Sequence, residues 1–480
     1  MRGLRKWVWL AASVALTACT QMDAGAARSA ASVDQDIGNG AIATMKELRA
    51  VDRLSETTPY GAEACSNSSL PMSIDAHGRL YERLLAERGL QSNIEFEISP
   101  LKLAESIPER TAVLFYYSAG QTLCVWLIDS SGPSGFGHVP YDAARVEKLL
   151  KTFYRAERIE ADQLSRTPQR RDASLPVIDR RPVSVPARNV LKSISRITFP
   201  GEIQQKLANY ERLVIVPYGP LGTIPFAALP GPAGRALIEQ SEIIIAPSLY
   251  DFYAARQAIA DPFKWKLKSP GCHGAFDPDS GSTPIRSALV IGDPDFSFDP
   301  DFNMPELPGA RDEAHAVAAL FGQTALVGLD ATLEAVLEAA PRSDLLYFAT
   351  HGISYQEQGV NSFIALTRGR WAGKDVQNVC LRHVKLAVLS ACQTGMGQTV
   401  EGGTITLARA FQKAGVRTVA MSLWNVEDEA TRTLMTDFSA RIRDGATPAA
   451  AMRKATLETR KQFPLVRQWA SFAVFSSHIE

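Results

Sequence analysis

Two segments of this chain share one frame. Asp344-Leu-Leu-Tyr-Phe-Ala-Thr-His351-Gly352 runs from a charge through an apolar stretch to a histidine, and Lys385-Leu-Ala-Val-Leu-Ser-Ala-Cys392 runs from a charge through an apolar stretch to a cysteine. In each, the reactive side chain lies seven positions past the charge. If the two stretches are neighbouring parallel strands, His351 and Cys392 leave the sheet at the same height. A thiol beside an imidazole is enough for nucleophilic catalysis: the imidazole takes the thiol proton and the thiolate attacks a carbonyl. Gly352 and the turn Gln393 to Gly397 leave backbone amides uncovered, so the N–H groups of Gly352 and Cys392 are candidates for an oxyanion hole. A lone histidine at a strand end, or a lone cysteine in an apolar strand, is ordinarily packing. The shared frame is what favours chemistry here.

Positioning such a pair requires a sheet, and the sequence from Leu213 onward predicts one. Short apolar runs occur at Leu213 to Val216, Ile243 to Ala246, Ala288 to Ile291, Leu345 to Ala349, Leu386 to Leu389, Val416 to Leu423 and Phe472 to Phe475. Helical spacing fills most of the gaps: Ala310 to Phe321, Thr332 to Ala340, Thr404 to Ala414, Glu427 to Arg441 and Pro448 to Phe463. Buried strands alternating with helices predict an α/β fold with a mostly parallel sheet and helices on both faces. Sites in such folds collect at the carboxyl ends of the strands. The 33 residues from Gly352 to Val384 are long enough for a crossover between parallel neighbours. Upstream, Ala112 to Tyr117 and Leu123 to Ile128 flank Ser-Ala-Gly-Gln and predict a β-hairpin. Residues 155 to 188, rich in Arg and Pro, read as a solvated linker, with proteolytic activation as the sharper alternative.

Composition removes several function classes. The 480 residues carry 51 basic and 51 acidic side chains, so no global charge favours nucleic acid or another polyanion. Seven His and six Cys, with no C-x-x-C pair, give no metal scaffold, and neither metal nor cofactor is expected. No 34-residue repeat emerges, so tetratricopeptide arrays are not supported. A Gly-x-Ser-x-Gly elbow is missing, which weakens an acyl-hydrolase reading.

The amino terminus reads as an address. Arg2, Arg5 and Lys6 precede an apolar run from Trp7 to Leu16, too short to span a bilayer comfortably and ending in small residues. Leu16-Thr17-Ala18-Cys19 resembles a bacterial lipobox, which implies cleavage before Cys19 and lipidation of its thiol. Thr20 after the cysteine implies the outer membrane of the bacterial cell envelope, facing the periplasm. The expected layout begins with a signal peptide at 1–18, a flexible tether at 19–40 and a helical region at 41–106. Membrane contact is then expected through Cys19 alone. Export exposes the remaining Cys65, Cys124, Cys272, Cys380 and Cys392 to disulfide chemistry. Their odd number leaves at least one thiol over, and Cys392 is expected to be free.

Eleven blocks in order carry a family resemblance. Among them are Val216-Pro-Tyr-Gly-Pro-Leu-Gly-Thr-Ile-Pro-Phe226, Ile291-Gly-Asp-Pro-Asp295, Leu307-Pro-Gly-Ala-Arg-Asp-Glu313, Phe348-Ala-Thr-His-Gly352, Leu389-Ser-Ala-Cys-Gln-Thr-Gly395, Ser422-Leu-Trp-Asn-Val-Glu-Asp428 and Trp469-Ala-Ser-Phe472. With these the chain resembles the CHAT group of caspase-like proteins, within the wider fold of caspases, gingipains and separase. The resemblance implies a caspase-like α/β fold with a pseudo-protease-like half at 107–260 and a catalytic half at 285–478. It implies that His351 and Cys392 are the dyad of a cysteine endopeptidase acting on a protein or peptide substrate. Similarity of Leu423 to Asp428 to a separase segment implies that Asp428 lines an S1 pocket for Arg or Lys and that Trp424 walls it. Asp428 has an alternative role, as a carboxylate favoured at the start of a helix. The competing function is a catalytically silent CHAT module that binds peptide or organises an assembly. The family's usual upstream helical repeats are missing, and Phe475-Ser-Ser-His478 ends the last strand where the family tends to have glycine.

Overall fold

A computed structural model of the protein describes residues 65–87, 98–166, 185–260, 284–297, 304–353, 361–391, 401–424 and 427–479. The expected signal peptide, the tether, Cys19, Cys272 and Cys392 lie outside these residues. In chain order the strands are β1 (Thr111–Ala119), β2 (Thr122–Asp129), β3 (Gly132–Pro140), β4 (Arg212–Val216), β5 (Glu242–Ile245), β6 (Ala288–Pro294) and β7 (Leu326–Gly328). They continue with β8 (Leu345–Ala349), β9 (Gly352–Ile353), β10 (Phe363–Leu366), β11 (Gly369–Ala372), β12 (Leu386–Ser390), β13 (Thr418–Ser422) and β14 (Phe472–Ser476). Eleven of them form one sheet in the order β3-β2-β1-β4-β5-β14-β13-β12-β8-β6-β7. The other three, in the order β11-β10-β9, form a small sheet. The α/β class with a large, mostly parallel sheet is therefore observed.

Side-chain alternation builds the layers. Leu346 and Phe348 of β8, Ala387 and Leu389 of β12, and Leu213 and Ile215 of β4 face one continuous core. Their neighbours point the other way, into two separate cores. Val113, Phe115, Val214 and Val216 join one of these, and Leu345, Tyr347, Leu386 and Val388 join the other. Strands covered on both faces must be apolar at every position, which is why they read as unbroken runs. Helices Pro308–Leu320, Asp428–Arg443 and Pro448–Gln462 cover the second of the two smaller cores through Ala314, Val317, Leu434, Phe438 and Met452.

Besides the antiparallel β1-β2-β3 edge, the sheet reverses direction at its centre. β14 runs antiparallel to β13, pairing Thr418 with Ser476 and Ser422 with Phe472, and parallel to β5 through Phe475 and Ile245. β4 and β5 therefore run opposite to β13, β12, β8 and β6, and the carboxyl ends of the two groups lie on opposite edges. Polar contacts reinforce this junction. Arg453 donates to the carbonyls of Ile238 and Glu239, and Arg460 pairs with Glu239 at 2.7 Å. Arg409 pairs with Asp251 where both are largely buried.

The hairpin expected upstream is β1 and β2, closed at Ala119 and Thr122. Gly120 takes a positive φ of 60°, as the first central residue of a type II′ turn requires. β3 extends the hairpin at the sheet edge. A disulfide joins Cys65 to Cys124, the latter in β2, and Cys380 is also disulfide-bonded. Trp126 Nε1 donates to the Ser66 carbonyl at 3.3 Å beside the first bridge. No helix among the described residues is long and apolar enough to cross a membrane.

The Cys65–Cys124 bridge closes a loop with a sequence separation of 59. In the chain-entropy account, a loop of that size stabilises the fold by about 4 kcal/mol. The double variant Cys65→Ala/Cys124→Ala should unfold at clearly lower denaturant than wild type. An unchanged midpoint would assign the bridge no role in stability.

Candidate active site

The two segments that share a frame are adjacent strands. β8 and β12 pair in parallel, Leu345 opposite Leu386 and Ala349 opposite Ser390. The charges that open each segment meet: Lys385 Nζ lies 2.9 Å from Asp344 Oδ1. Burial alone would raise the Asp344 carboxyl. Hydrogen bonds from Lys385 and from the amides of Arg286 and Ser287 outweigh it and hold the group below the usual carboxylate range. The register is thereby pinned at its amino end, and a one-residue slip would turn every side chain to the wrong core.

At the other end, His351 stands two residues past Ala349, and Cys392 follows Ser390 at the same interval in the chain. Cys392 itself is outside the described residues, as are residues 393–400. The approach to it is described as far as Ala391. Gly352 packs against Ala391 so closely that a Cβ at 352 would collide with the Ala391 carbonyl oxygen. Only glycine permits this contact. The small sheet grips the same turn, because Ala365 N donates to the His351 carbonyl at 2.9 Å and Thr350 Oγ1 donates to the Ala365 carbonyl at 2.9 Å. Gly352 continues into β9, opposite Ile364 of β10.

His351 is 4% exposed. Its Nε2 lies 2.9 Å from the carbonyl oxygen of Pro305, and its ring centroid lies 5.5 Å from that of Phe296. A carbonyl can only accept, so Nε2 carries the hydrogen in this contact. In the neutral ring Nδ1 is then the nitrogen with the lone pair, the one placed to act as a base.

Beneath the two strand ends lies a buried polar network that sequence reading missed. Tyr347 of β8 donates to Glu313 Oε1 at 2.7 Å, and the Ser390 hydroxyl of β12 stands beside both groups and favours their charged forms. Glu313 belongs to helix Pro308–Leu320 and is 3% exposed. Burial pushes its carboxyl up to about 7, against the pull of Tyr347 and Ser390, and the nearby Asp428 carboxylate adds to the rise. An acidic residue on a mainly apolar helix face was the available signal.

Asp428 opens helix Asp428–Arg443 and is exposed, against Gly309 of the helix that carries Glu313. It occupies the first turn, where a carboxylate is electrostatically favoured. Trp424 is placed in the core. It is 5% exposed, its ring lies 5.4 Å from Tyr154, and its Nε1 donates to the Arg467 carbonyl at 3.0 Å. No group of three or more His, Cys, Asp or Glu able to hold a metal occurs among the described residues.

The family model for the CHAT domain matches residues 188–477. Tetratricopeptide repeat protein 28 of mouse is 26% identical over 321 residues, covering 57% of this chain and 12% of the relative. The human protein of that name is 25% identical over 320 residues, with the same coverage. The chain thus spans about an eighth of the length of these relatives. Two crystal structures of the Saccharomyces cerevisiae separase–securin complex match at 11% identity with TM-scores of 0.48 and 0.49. They cover 91% and 88% of this chain, and 37% and 34% of theirs.

The network carries a pH prediction. In the unfolded chain Glu313 ionises near 4.5, and in the fold near 7. The gap costs the folded state about 3 kcal/mol once the pH exceeds 7, nothing below 4.5, and an increasing amount between. Glu313→Gln should therefore be more stable than wild type at pH 8 and close to it at pH 4.5. Urea titrations at the two pH values decide this, and equal midpoints at pH 8 would refute it.

Proposed function

From membership of this chain in the CHAT domain family, we propose that it is a cysteine endopeptidase with a His351–Cys392 dyad. The observation that carries the reading is the register of β8 on β12, which sets His351 and the residues leading to Cys392 at one height on one edge. In the proposed reaction, His351 Nδ1 takes the Cys392 thiol proton and the thiolate attacks the scissile carbonyl carbon. The amides of Gly352 and Cys392 hold the oxyanion. Collapse expels the amine, which leaves with the proton from His351, and water then hydrolyses the acyl-enzyme. The substrate is a protein or peptide, with Arg or Lys preferred at P1 through charge pairing with Asp428. The exposure of Asp428 beside the edge that bears His351 supports that preference. The burial of Trp424 supports a packing role for the indole rather than a pocket wall.

Cys392→Ala and His351→Ala should each remove cleavage of fluorogenic peptides while circular dichroism shows each variant still folded. Asp428→Ala should reduce cleavage of an Arg-P1 peptide far more than that of a Leu-P1 peptide. Activity retained in either variant would refute the dyad, and a wild-type chain that cleaves none of the peptides would favour the silent assembly module instead.

We also propose that the mature chain begins at a lipidated Cys19 and faces an oxidising compartment of the bacterial envelope. The signal-like sequence from Arg2 to Cys19 supports this, as does the Cys65–Cys124 bridge, since such bonds persist where thiols are not kept reduced. Cys19→Ser should leave an uncut, unlipidated precursor by mass spectrometry. A wild-type amino terminus cut elsewhere would overturn it.

A further inference from the structure

The base of the proposed dyad is oriented by a loop, and one buried carboxylate closes that loop. β6 ends beside His351, and from there the chain leaves the sheet and returns as helix Pro308–Leu320. Both wings of the excursion touch His351. Phe296 on the outgoing wing lies against the ring, and Pro305 on the returning wing accepts from Nε2.

Asp293 sits at the neck. Its side chain is 2% exposed. Oδ1 accepts from the Leu307 amide at 2.6 Å, two residues after Pro305. Oδ2 accepts from Arg311 through Nε at 2.9 Å, with the second guanidinium nitrogen at 2.8 Å. The carboxylate thus ties the end of β6 to the first turn of the helix across 14 residues of chain. The outgoing wing is anchored separately. Asp295 N donates to Thr367 Oγ1 at 2.9 Å, and that hydroxyl donates to the Gly328 carbonyl at 2.7 Å. Asp293 also holds a positive φ of 42°, a conformation costly for a residue with a Cβ. Apart from the His351 contact itself, no other hydrogen bond among the described residues ties Pro305 to Leu307 to the sheet.

We infer that Asp293 and Arg311 are positioning residues for His351: they fix the Pro305 carbonyl, and through it the tautomer that leaves Nδ1 as the base. The inference rests on the dyad reading, but it has consequences in the resting protein that need no turnover. With the clamp intact, a single imidazole tautomer protonated at Nε2 is held. With the clamp broken, the carbonyl moves away, the Nε2–H loses its partner, and both neutral tautomers become populated. A misplacement of about 1 Å costs about 100-fold in a reaction that depends on near-attack geometry.

The test is nitrogen NMR of the full-length protein labelled with [15N]histidine, His351 being assigned by its loss in His351→Gln. Wild type should show one neutral tautomer with Nε2 protonated. Asp293→Ala and Arg311→Gln should show averaged ring-nitrogen shifts, with circular dichroism and unfolding midpoint showing that each is folded. On a cleavable peptide both should lower kcat, Asp293→Ala by about 100-fold and Arg311→Gln by less, with little change in KM. A pure Nε2–H tautomer in either folded variant would overturn the inference. Should Asp293→Ala not fold, Arg311→Gln decides alone, since Arg311 is half-exposed. A wild-type protein without peptidase activity would refute the proposed function and leave the tautomer result standing on its own.

Discussion

The pairing of Leu345 with Leu386 is the constraint from which the site follows. Both strands are covered on both faces, so any other register would bury the wrong set of side chains in cores already filled. The ion pair between Asp344 and Lys385 marks the amino end of that register and stays partly out of water. Its worth lies in specifying the alignment more than in stabilising the fold, since a buried pair recovers little beyond its own desolvation. Five residues on, the same alignment delivers Ala349 and Ser390 side by side. The polar groups beyond this point depend on it: Gly352 against Ala391, and Tyr347 and Ser390 around Glu313.

Helix Pro308–Leu320 serves both strand ends from one short stretch. Arg311 reaches the Asp293 carboxylate on the β6 side, and Glu313 reaches Tyr347 and Ser390 under β8 and β12. The two contacts differ in kind. One is a charged clamp at the surface side of the helix, and the other a carboxyl in an apolar interior held by two hydroxyls. The helix also packs through Ala314 and Val317 onto the sheet, so neither contact can move without disturbing the core.

Much of this was legible because buried parallel strands leave an unmistakable trace. Leu345 to Ala349 is recovered as read, and the other six runs within a few residues, since an all-apolar stretch of five has few other places to go. β3 escaped notice: Gly132-Pro-Ser-Gly reads as a turn, and only an edge position tolerates such a strand. β9 to β11 are two to four residues long and too short for periodicity to register. The matched frame of His351 and Cys392 was readable because strand length converts directly into height. Asp293 and Glu313 were not, although both stand in blocks that had been singled out, Ile291 to Asp295 and Leu307 to Glu313. A strand-end carboxylate such as Asp293 gives no sign of whether it will be solvated or closed around by a helix turn, and the one signal for Glu313, its place on a mainly apolar helix face, is weak on its own.

The reversal at β14 has a consequence for how the sheet is put together. The last strand of the carboxyl-terminal half lies beside a strand of the same chain, so its outer edge is occupied by β5 from the moment of folding. Supplied by a separate molecule, that neighbour would bind with a concentration dependence, and dilution would strip it away. Supplied in cis, it sits at an effective concentration fixed by covalent continuity and insensitive to expression level. The edge most exposed to adventitious pairing is thereby closed, leaving the short β7 and the glycine-rich β3 as the sheet's outer margins. Control by self-association through this edge of β14 is thereby unavailable to the molecule.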